Sequence, residues 1–517
     1  MKRKKWLSLA LSVVMAAGVL TGCGGSSSSD SSQEESASES DESSEETAET
    51  VGDLDTSEEV EIVMYVVSDR PAGQDVVDDN LNELLKEKLN CTLKINWIAW
   101  SDYSNKYPLL FSSGEKFDLV YASNWLNWTQ LAMKGAFMEL DDLWPTYAPD
   151  NYAATSEEAI SEATLDGHIY VIPSQLSTYT AYGPIYRTVF DDGKEYTEEI
   201  TDFESMETYL DWVAENEPDV EPLDIYSEGS SVDYIWMMSN GYMGVNISSG
   251  TGLYFDTQSD NPEIFPIYEY EGVDEFLEMM NRWNEKGFFS KSALADTDST
   301  KTQNGLAAMK IHNLDNYASY YAMHEDWGFK FANVVDPVAH LPYTQDSVAV
   351  SNTSENPERA LALWNLITTD QEVFDAFYYG VLGTTYELND EGEYSITDSD
   401  LYSTTAMWAA RTNEFTRSQV GTPEDYEEYK QEFEEEIEED NSAERYVAFT
   451  IDTTDIETEY SAIKNVNSQY WNPLELGYTD AEEGLVEYKE KMEAAGIDTV
   501  IEELQSQLDE YVAGLDE

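Results

Sequence analysis

A chain of 517 residues with 105 Asp and Glu against 27 Lys and Arg has a formal net charge of -78. That charge excludes electrostatic binding to nucleic acid or anionic headgroups and points to a neutral or cationic ligand. The length exceeds one small core and fits two lobes of ordinary domain size with processed and disordered ends. Lys2, Arg3, Lys4 and Lys5 form a basic start, followed by an apolar stretch over 6–19 that is short for a mature membrane span. Leu20-Thr21-Gly22-Cys23 then fits the bacterial lipobox, which predicts a signal peptide over 1–22 and a diacylglycerol on Cys23. The mature chain is thus expected on the extracellular face of a bacterial cell membrane, held by lipid. Residues 23–57 are almost wholly Ser, Glu, Asp, Thr and Gly after the cysteine and read as a disordered acidic tether. The other cysteine, Cys91, has no partner for an internal disulfide and reads as a small buried hydrophobe.

The folded part opens with VEIVMYVV (60–67), an apolar run suited to a buried strand. Apolar residues at Val76, Val77, Leu81, Leu84, Leu85 and Leu89 predict a helix over 75–90, and CTLKINWIAW from Cys91 predicts a second strand. A helix over 102–113, a strand over 117–123 and a helix near 126–134 follow. Strands alternating with helices argue for a largely parallel, doubly covered sheet. Ligands bind such sheets beyond the carboxyl ends of the strands, which nominates Trp100, Asp102, Asn124 and Trp125. Further helices are expected over 203–216, 232–238, 273–286, 357–368, 371–379, 423–439 and 481–513.

Catalytic signatures are missing. The four histidines, His168, His312, His324 and His340, show no HExxH or zinc spacing, and no nucleophile elbow or glycine-rich phosphate loop follows a strand. The reading is therefore a non-enzyme with no cofactor and no metal centre, since abundant acids alone say nothing of catalysis. Glu387, Asn389, Glu391, Gly392, Ser395 and Asp398 fall at calcium-loop offsets, but NDEGEYSI reads as a hairpin turning at Glu391-Gly392. The 13 Trp and 35 Tyr carry more information. Aromatic faces stack on the C–H faces of sugar rings while Asp, Asn and Arg bond hydroxyls, a mixture suited to a carbohydrate cleft, although most of the rings must be core.

Four stretches, FSSGEKFDLVYASNW (111–125), TLDGHIYVIPS (164–174), NGLAAMKIHNLDNY (304–317) and SVAVSNTSENPERALALWNLITTDQEVFDAFYYG (347–380), resemble in order the extracellular solute-binding lipoproteins of bacterial ABC importers. They are similar to family 1, the sugar-binding group that includes maltose-binding protein. The WxxxxNEF segment from Trp408 to Phe415 and the closing VEYKEKMEAAGIDTVIEELQSQLDEY resemble its LipO-like subgroup, with a departure at Gly380-Val381-Leu382-Gly383.

The resemblance implies an α/β, two-lobe periplasmic-binding-protein-like fold with a cleft between the lobes and three interlobe crossings, near 180–186, 309–313 and 348–352. It divides the chain into lobe one, 58–183 plus 311–348, and lobe two, 184–310 plus 349–517 with a C-terminal helical extension. Lobe one would offer Trp100, Asp102, Asn124 and Trp125 to the ligand, and lobe two Trp236, Trp408 and Asn413. The crossings would add Tyr182, Arg187, His312, Asn313 and Asp315. Arg187 can equally pair with a surface acid, and His312 and Asn313 can equally bond within the hinge. The implied function is a monomeric receptor that captures an oligosaccharide and hands it to the membrane permease. A peptide or other polar solute, or an extracellular glycoside-active enzyme, are the alternatives.

Overall fold

A computed structural model describes residues 54–226, 230–245, 250–397, 401–402 and 408–515. The expected signal peptide, Cys23 and nearly all of the tether lie outside the described residues. The last four tether residues, 54–57, do not match that reading: Arg359 donates to the Asp55 carbonyl, and Asn90 Nδ2 donates to the Thr56 carbonyl at 2.8 Å.

The first lobe is built on a five-stranded sheet in the order Cys91–Ile98, Val60–Val67, Leu119–Ala122, Ser347–Val350, Val171–Pro173. Its first three strands are mutually parallel and the last two run antiparallel to their neighbours. The apolar run 60–67 lies at the interior of this sheet, as a strand covered on both faces should. Helix Gln74–Leu89 buries Val77, Leu81, Leu85 and Leu89 of the predicted stripe, while Val76 is exposed and Leu84 only partly buried, and Asn90 ends it in the left-handed region at φ 47°. Cys91 is fully buried, and burial pushes its thiol up to about 12, so it packs as an inert hydrophobe.

The second lobe carries a four-stranded sheet in the order Lys330–Phe331, Tyr182–Tyr186, Ala307–Asn313, Glu221–Leu223. Helix Phe203–Asn216 starts at a capping box in which Asp202 and Ser205 satisfy each other's free backbone N–H groups. Helix Val273–Lys286 stops at Gly287, at φ 76°. The expected helix over 481–513 is two helices, Ala481–Ala495 and Ile497–Leu515, because Gly496 at φ 92° turns the chain between them.

The division between lobes differs from the expected one. The chain leaves the first sheet after Pro173 and enters the second at Tyr182, returns between Phe331 and Ser347, and crosses again between Phe415 and Tyr426. Residues 314–331 therefore belong to the second lobe, where Leu314, Tyr317 and Tyr320 pack with Ile185 and Phe331. Conversely, helix Pro357–Thr369 buries Leu361, Leu363, Trp364 and Ile367 in the first core, so 347–415 belongs to lobe one. The expected crossings at 309–313 and 348–352 fall instead on the ends of strands Ala307–Asn313 and Ser347–Val350. Apolar alternation shows that a strand is buried; it does not show which sheet the strand joins.

Residues 386–396 form the hairpin. Tyr386–Leu388 pairs antiparallel with Tyr394–Ile396, and Asn389 Oδ1 accepts from the N–H groups of Glu391 and Glu393 at 3.0 and 2.9 Å. Asp398, the last calcium-loop position, lies outside the described residues. Among the described residues, no helix is long and apolar enough to cross a membrane.

Candidate functional site

Three tryptophans that the sequence places in separate loops converge at one end of the first lobe. Trp100 follows strand Cys91–Ile98, Trp125 sits in the turn Asn124–Leu126 after strand Leu119–Ala122, and Trp408 opens the turn Trp408–Ala410. The Trp100 ring lies 5.7 Å from that of Trp125 and 6.2 Å from that of Trp408. Tyr103 meets Trp100 and Trp125 edge-on at 5.8 and 5.6 Å, and Tyr121 backs Trp125 and Trp408 at 5.9 and 6.2 Å. The three indoles are only partly buried, so the cluster is a supported wall with apolar faces to spare.

A charged network binds this wall to the second lobe. Arg411, three residues beyond Trp408, donates from Nη2 to Asp346 Oδ2 at 2.7 Å and from Nη1 to Asp315 Oδ2 at 3.4 Å. Its Nε donates to the Trp408 carbonyl at 3.2 Å. The Tyr121 hydroxyl donates to Asp346 Oδ1 at 2.5 Å, and the Tyr426 hydroxyl donates to Asp315 Oδ1 at 2.7 Å. Burial works against the charge on Arg411, but Asp346 and Asp315 outweigh it and hold the guanidinium pKa above its ordinary range. One cation thus ties the Trp408 turn, the return crossing and the start of helix Leu314–Met323 together.

Three rings from the second lobe stand beside the network. Tyr182 stacks on His312 at 5.5 Å and meets Tyr234 edge-on at 5.4 Å, and it lies within electrostatic reach of Asp346 and Asp315. Burial, helped by the Lys310 ammonium, lowers the His312 pKa to about 4, so the imidazole is neutral near pH 7. Its Nδ1 accepts from the Asn313 N–H at 2.9 Å, which puts the proton on Nε2 and makes that nitrogen a donor. Asn313 Oδ1 accepts from the Asn316 N–H at 3.1 Å and caps helix Leu314–Met323.

The other nominated residues stand elsewhere or are already engaged. Trp236 packs against Phe203 at 4.8 Å and Phe276 at 5.6 Å, at the edge of the second core. Arg187 is buried in the second lobe, pairs with Asp191 at 2.5 Å and lies over the Trp327 ring at 3.9 Å. Asp102 begins helix Tyr103–Ser112 and pairs with Lys106 at 2.7 Å. Asn124 Oδ1 accepts from Trp128 Nε1 at 2.8 Å and from Thr344 Oγ1 at 3.0 Å, which braces the turn that carries Trp125. Asn413 is exposed, and its Nδ2 approaches the Gln175 carbonyl at 3.5 Å. The sequence reading missed Tyr103, Tyr121, Arg411 and Asp346. Among the described residues, Glu139, Asp141 and His168 bring three ligand atoms within 4.8 Å of one another, all on the exposed surface.

The return crossing carries a titrating group. His340 Nδ1 lies 2.9 Å from Glu444 Oε1 and its Nε2 lies 3.1 Å from Glu434 Oε1, with the ring tilted over Tyr179 at 5.3 Å. The hydrogen bond to Glu444, with the charge of Glu434, outweighs burial and raises the His340 pKa to about 9 from 6.5. The folded value lies above the unfolded one, so this stabilisation is complete below about pH 6.5 and is lost as pH rises through about 9. With Glu434 half exposed, the expected contribution is about 1–2 kcal/mol. The deficit in Tm of His340→Gln against the parent should be larger at pH 6 than at pH 9.5, and an equal deficit at both would exclude a charged His340.

The family model described as bacterial extracellular solute-binding protein matches residues 81–398, more than half of the chain, and one described as a domain of unknown function matches residues 445–513. A carbohydrate ABC transporter substrate-binding protein of Streptococcus pneumoniae is 24% identical over 524 residues, covering 98% of each chain. Among solved structures, the N-glycan transport solute binding protein of Streptococcus pneumoniae in complex with Man1GlcNAc superposes with a TM-score of 0.70 at 22% identity. That match covers 88% of this chain and 100% of the other. An extracellular solute-binding protein of Bifidobacterium longum subsp. infantis matches with a TM-score of 0.60 at 14% identity, covering 88% of this chain and 99% of its own. These structural likenesses establish the two-lobe fold.

Proposed function

The chain belongs to the bacterial extracellular solute-binding protein family, and from that premise we propose that it is a non-catalytic receptor for an oligosaccharide. The observation that carries this reading is the convergence of Trp100, Trp125 and Trp408 at the carboxyl ends of the first-lobe strands, beside the Arg411 network that links them to the second lobe. Flat indole faces match the C–H faces of pyranose rings, and the surrounding carboxylates and the His312 Nε2–H supply directional partners for hydroxyls. A sugar that touches both lobes favours the state in which they approach, and this differential affinity drives hinge closure.

The nature of the two Streptococcus pneumoniae relatives supports a glycan as the first probe. Man5GlcNAc, with which the N-glycan transport protein has also been solved, should raise the Tm of this chain, because a ligand that binds the native state stabilises it by mass action. A mannose-type glycan panel run beside a panel of short peptides decides the class. Shifts confined to peptides would overturn the sugar reading, and release of shortened glycan by the purified chain would overturn the receptor reading. The same proposal places the receptor on the extracellular membrane face through a lipid on Cys23, as a monomer that delivers its sugar to an ABC permease. Cys23→Ala should release the protein from the membrane fraction, and continued retention would remove the anchor.

A further inference from the structure

The segment matched as a domain of unknown function, 445–513, is built into the second lobe. Tyr446, Trp471, Leu474, Val500, Leu504 and Leu508 are buried in that lobe's core. The Glu475 carboxyl, 2% exposed, accepts from Ser230 Oγ, and Trp471 Nε1 donates to Asp233 Oδ2 at 3.0 Å. Ser230 and Asp233 flank the start of helix Val232–Met238, which carries Tyr234 to the hinge, where its hydroxyl donates to the Thr180 carbonyl at 3.0 Å. Buried polar pairs of this kind are costly to break, so the segment moves with the lobe as one body.

The same segment reaches the first lobe. Lys134, just after helix Trp128–Met133, places Nζ 2.5 Å from Oε1 of Glu457, the first residue of helix Glu457–Val466. A narrow crevice is lined from the first lobe by Asn124, Trp128 and Thr129, and from the segment by Tyr446, Phe449 and Ile451. Farther along, Glu162 of the first-lobe helix Glu157–Glu162 lies within electrostatic reach of Glu444 and Tyr511. Any opening about the three crossings that parts the lobes here must separate Lys134 from Glu457 and wet the apolar lining of the crevice.

We propose that the C-terminal segment is the closing jaw of the receptor: residues 446–457 make the contact with the first lobe that sets the balance between open and closed forms. The aromatic wall then supplies the stacking contacts with the sugar while the jaw, remote from it in sequence, tunes the apparent affinity. An apparent dissociation constant scales inversely with the fraction of molecules already in the competent form. The link to affinity rests on the receptor reading, whereas the effect on conformation does not.

A charge swap tests the jaw. Lys134→Glu sets two carboxylates against each other, and Glu457→Lys in the same chain restores an attractive pair with reversed sense. Both side chains are about half exposed, so neither change should prevent folding, which circular dichroism verifies. Small-angle scattering of the ligand-free protein should show a larger radius of gyration for Lys134→Glu and a return toward the parent in the double variant. Calorimetry with Man5GlcNAc should show binding weaker by roughly 3–10-fold in the single variant and recovered in the double. Identical scattering of parent and Lys134→Glu, or a double variant that stays open, overturns the jaw. If Man5GlcNAc binds none of the proteins, the receptor reading for that glycan fails while scattering still decides the jaw.

Discussion

Arg411→Met should destabilise the folded chain by about 2–4 kcal/mol and weaken sugar binding with it. Asp346 is the reason. Its side chain is only 12% exposed, and among the described residues it is held by the Tyr121 hydroxyl and the Arg411 guanidinium. Without the guanidinium the carboxylate stays buried with a single neutral donor, and an uncompensated buried charge is among the costliest single defects. The arm to Asp315 adds less, because Asp315 is 40% exposed and water screens it. Arg411→Lys should fall between parent and methionine variant, since an ammonium holds the charge but cannot fork between Asp346 and Asp315 while bonding the Trp408 carbonyl. Thermal unfolding checks the order. The sharper control is Asp346→Asn in the Arg411→Met background, which removes the stranded charge and should recover part of the loss. If the two changes cost the sum of their separate effects, Arg411 and Asp346 act independently and the network is not a unit.

Of this network only Asp315 was nominated from the chain, and that through the family resemblance. Arg411 is one of 27 basic residues in a segment with no local sign of a partner, and its carboxylates lie 65 and 96 positions away. Trp100 and Trp125 were legible because strand ends could be located and a Trp in a loop needs a reason to be there, whereas Trp408 was nominated through the resemblance and expected on lobe two, not beside them on the first. Tyr121 looked like ordinary core because it lies inside a strand, and in the structure it is core on one side and wall support on the other. Trp236 misled for the opposite reason: it was nominated as a ligand contact, although helix spacing turns it toward Phe203 and Phe276. The amphipathic helices at 203–216 and 273–286 emerged with their expected bounds, since burial periodicity is local information. Lobe membership is not local. The strand Ser347–Val350 and the helix after it could have packed on either sheet, and only the assembled core assigns them to the first.

Trp125→Ala should cost the receptor more affinity than any other single truncation of the wall. Trp125 touches Trp100, Tyr103 and Tyr121 at once, so its loss removes a stacking face and also frees Trp100 and Tyr103 from their orienting neighbour. Truncating an aromatic anchor at the centre of a contact typically costs about 2–4 kcal/mol, which corresponds to roughly 30- to 1,000-fold in the dissociation constant. Trp125→Phe keeps a smaller face against the same neighbours and should lose no more than about tenfold. Both variants should retain the fold, because the indole is partly exposed and stands at the edge of the first core. Calorimetric titration with Man5GlcNAc, or with whichever glycan gives the largest thermal shift, measures the ladder from Trp through Phe to Ala. Affinity that is unchanged in Trp125→Ala, in a protein whose unfolding transition stays intact, would move the sugar away from the wall and leave the three indoles as a structural cluster. A ladder that descends in the expected order would identify stacking at this wall as the main source of affinity, with the hinge carboxylates and His312 left to choose among sugars that stack equally well.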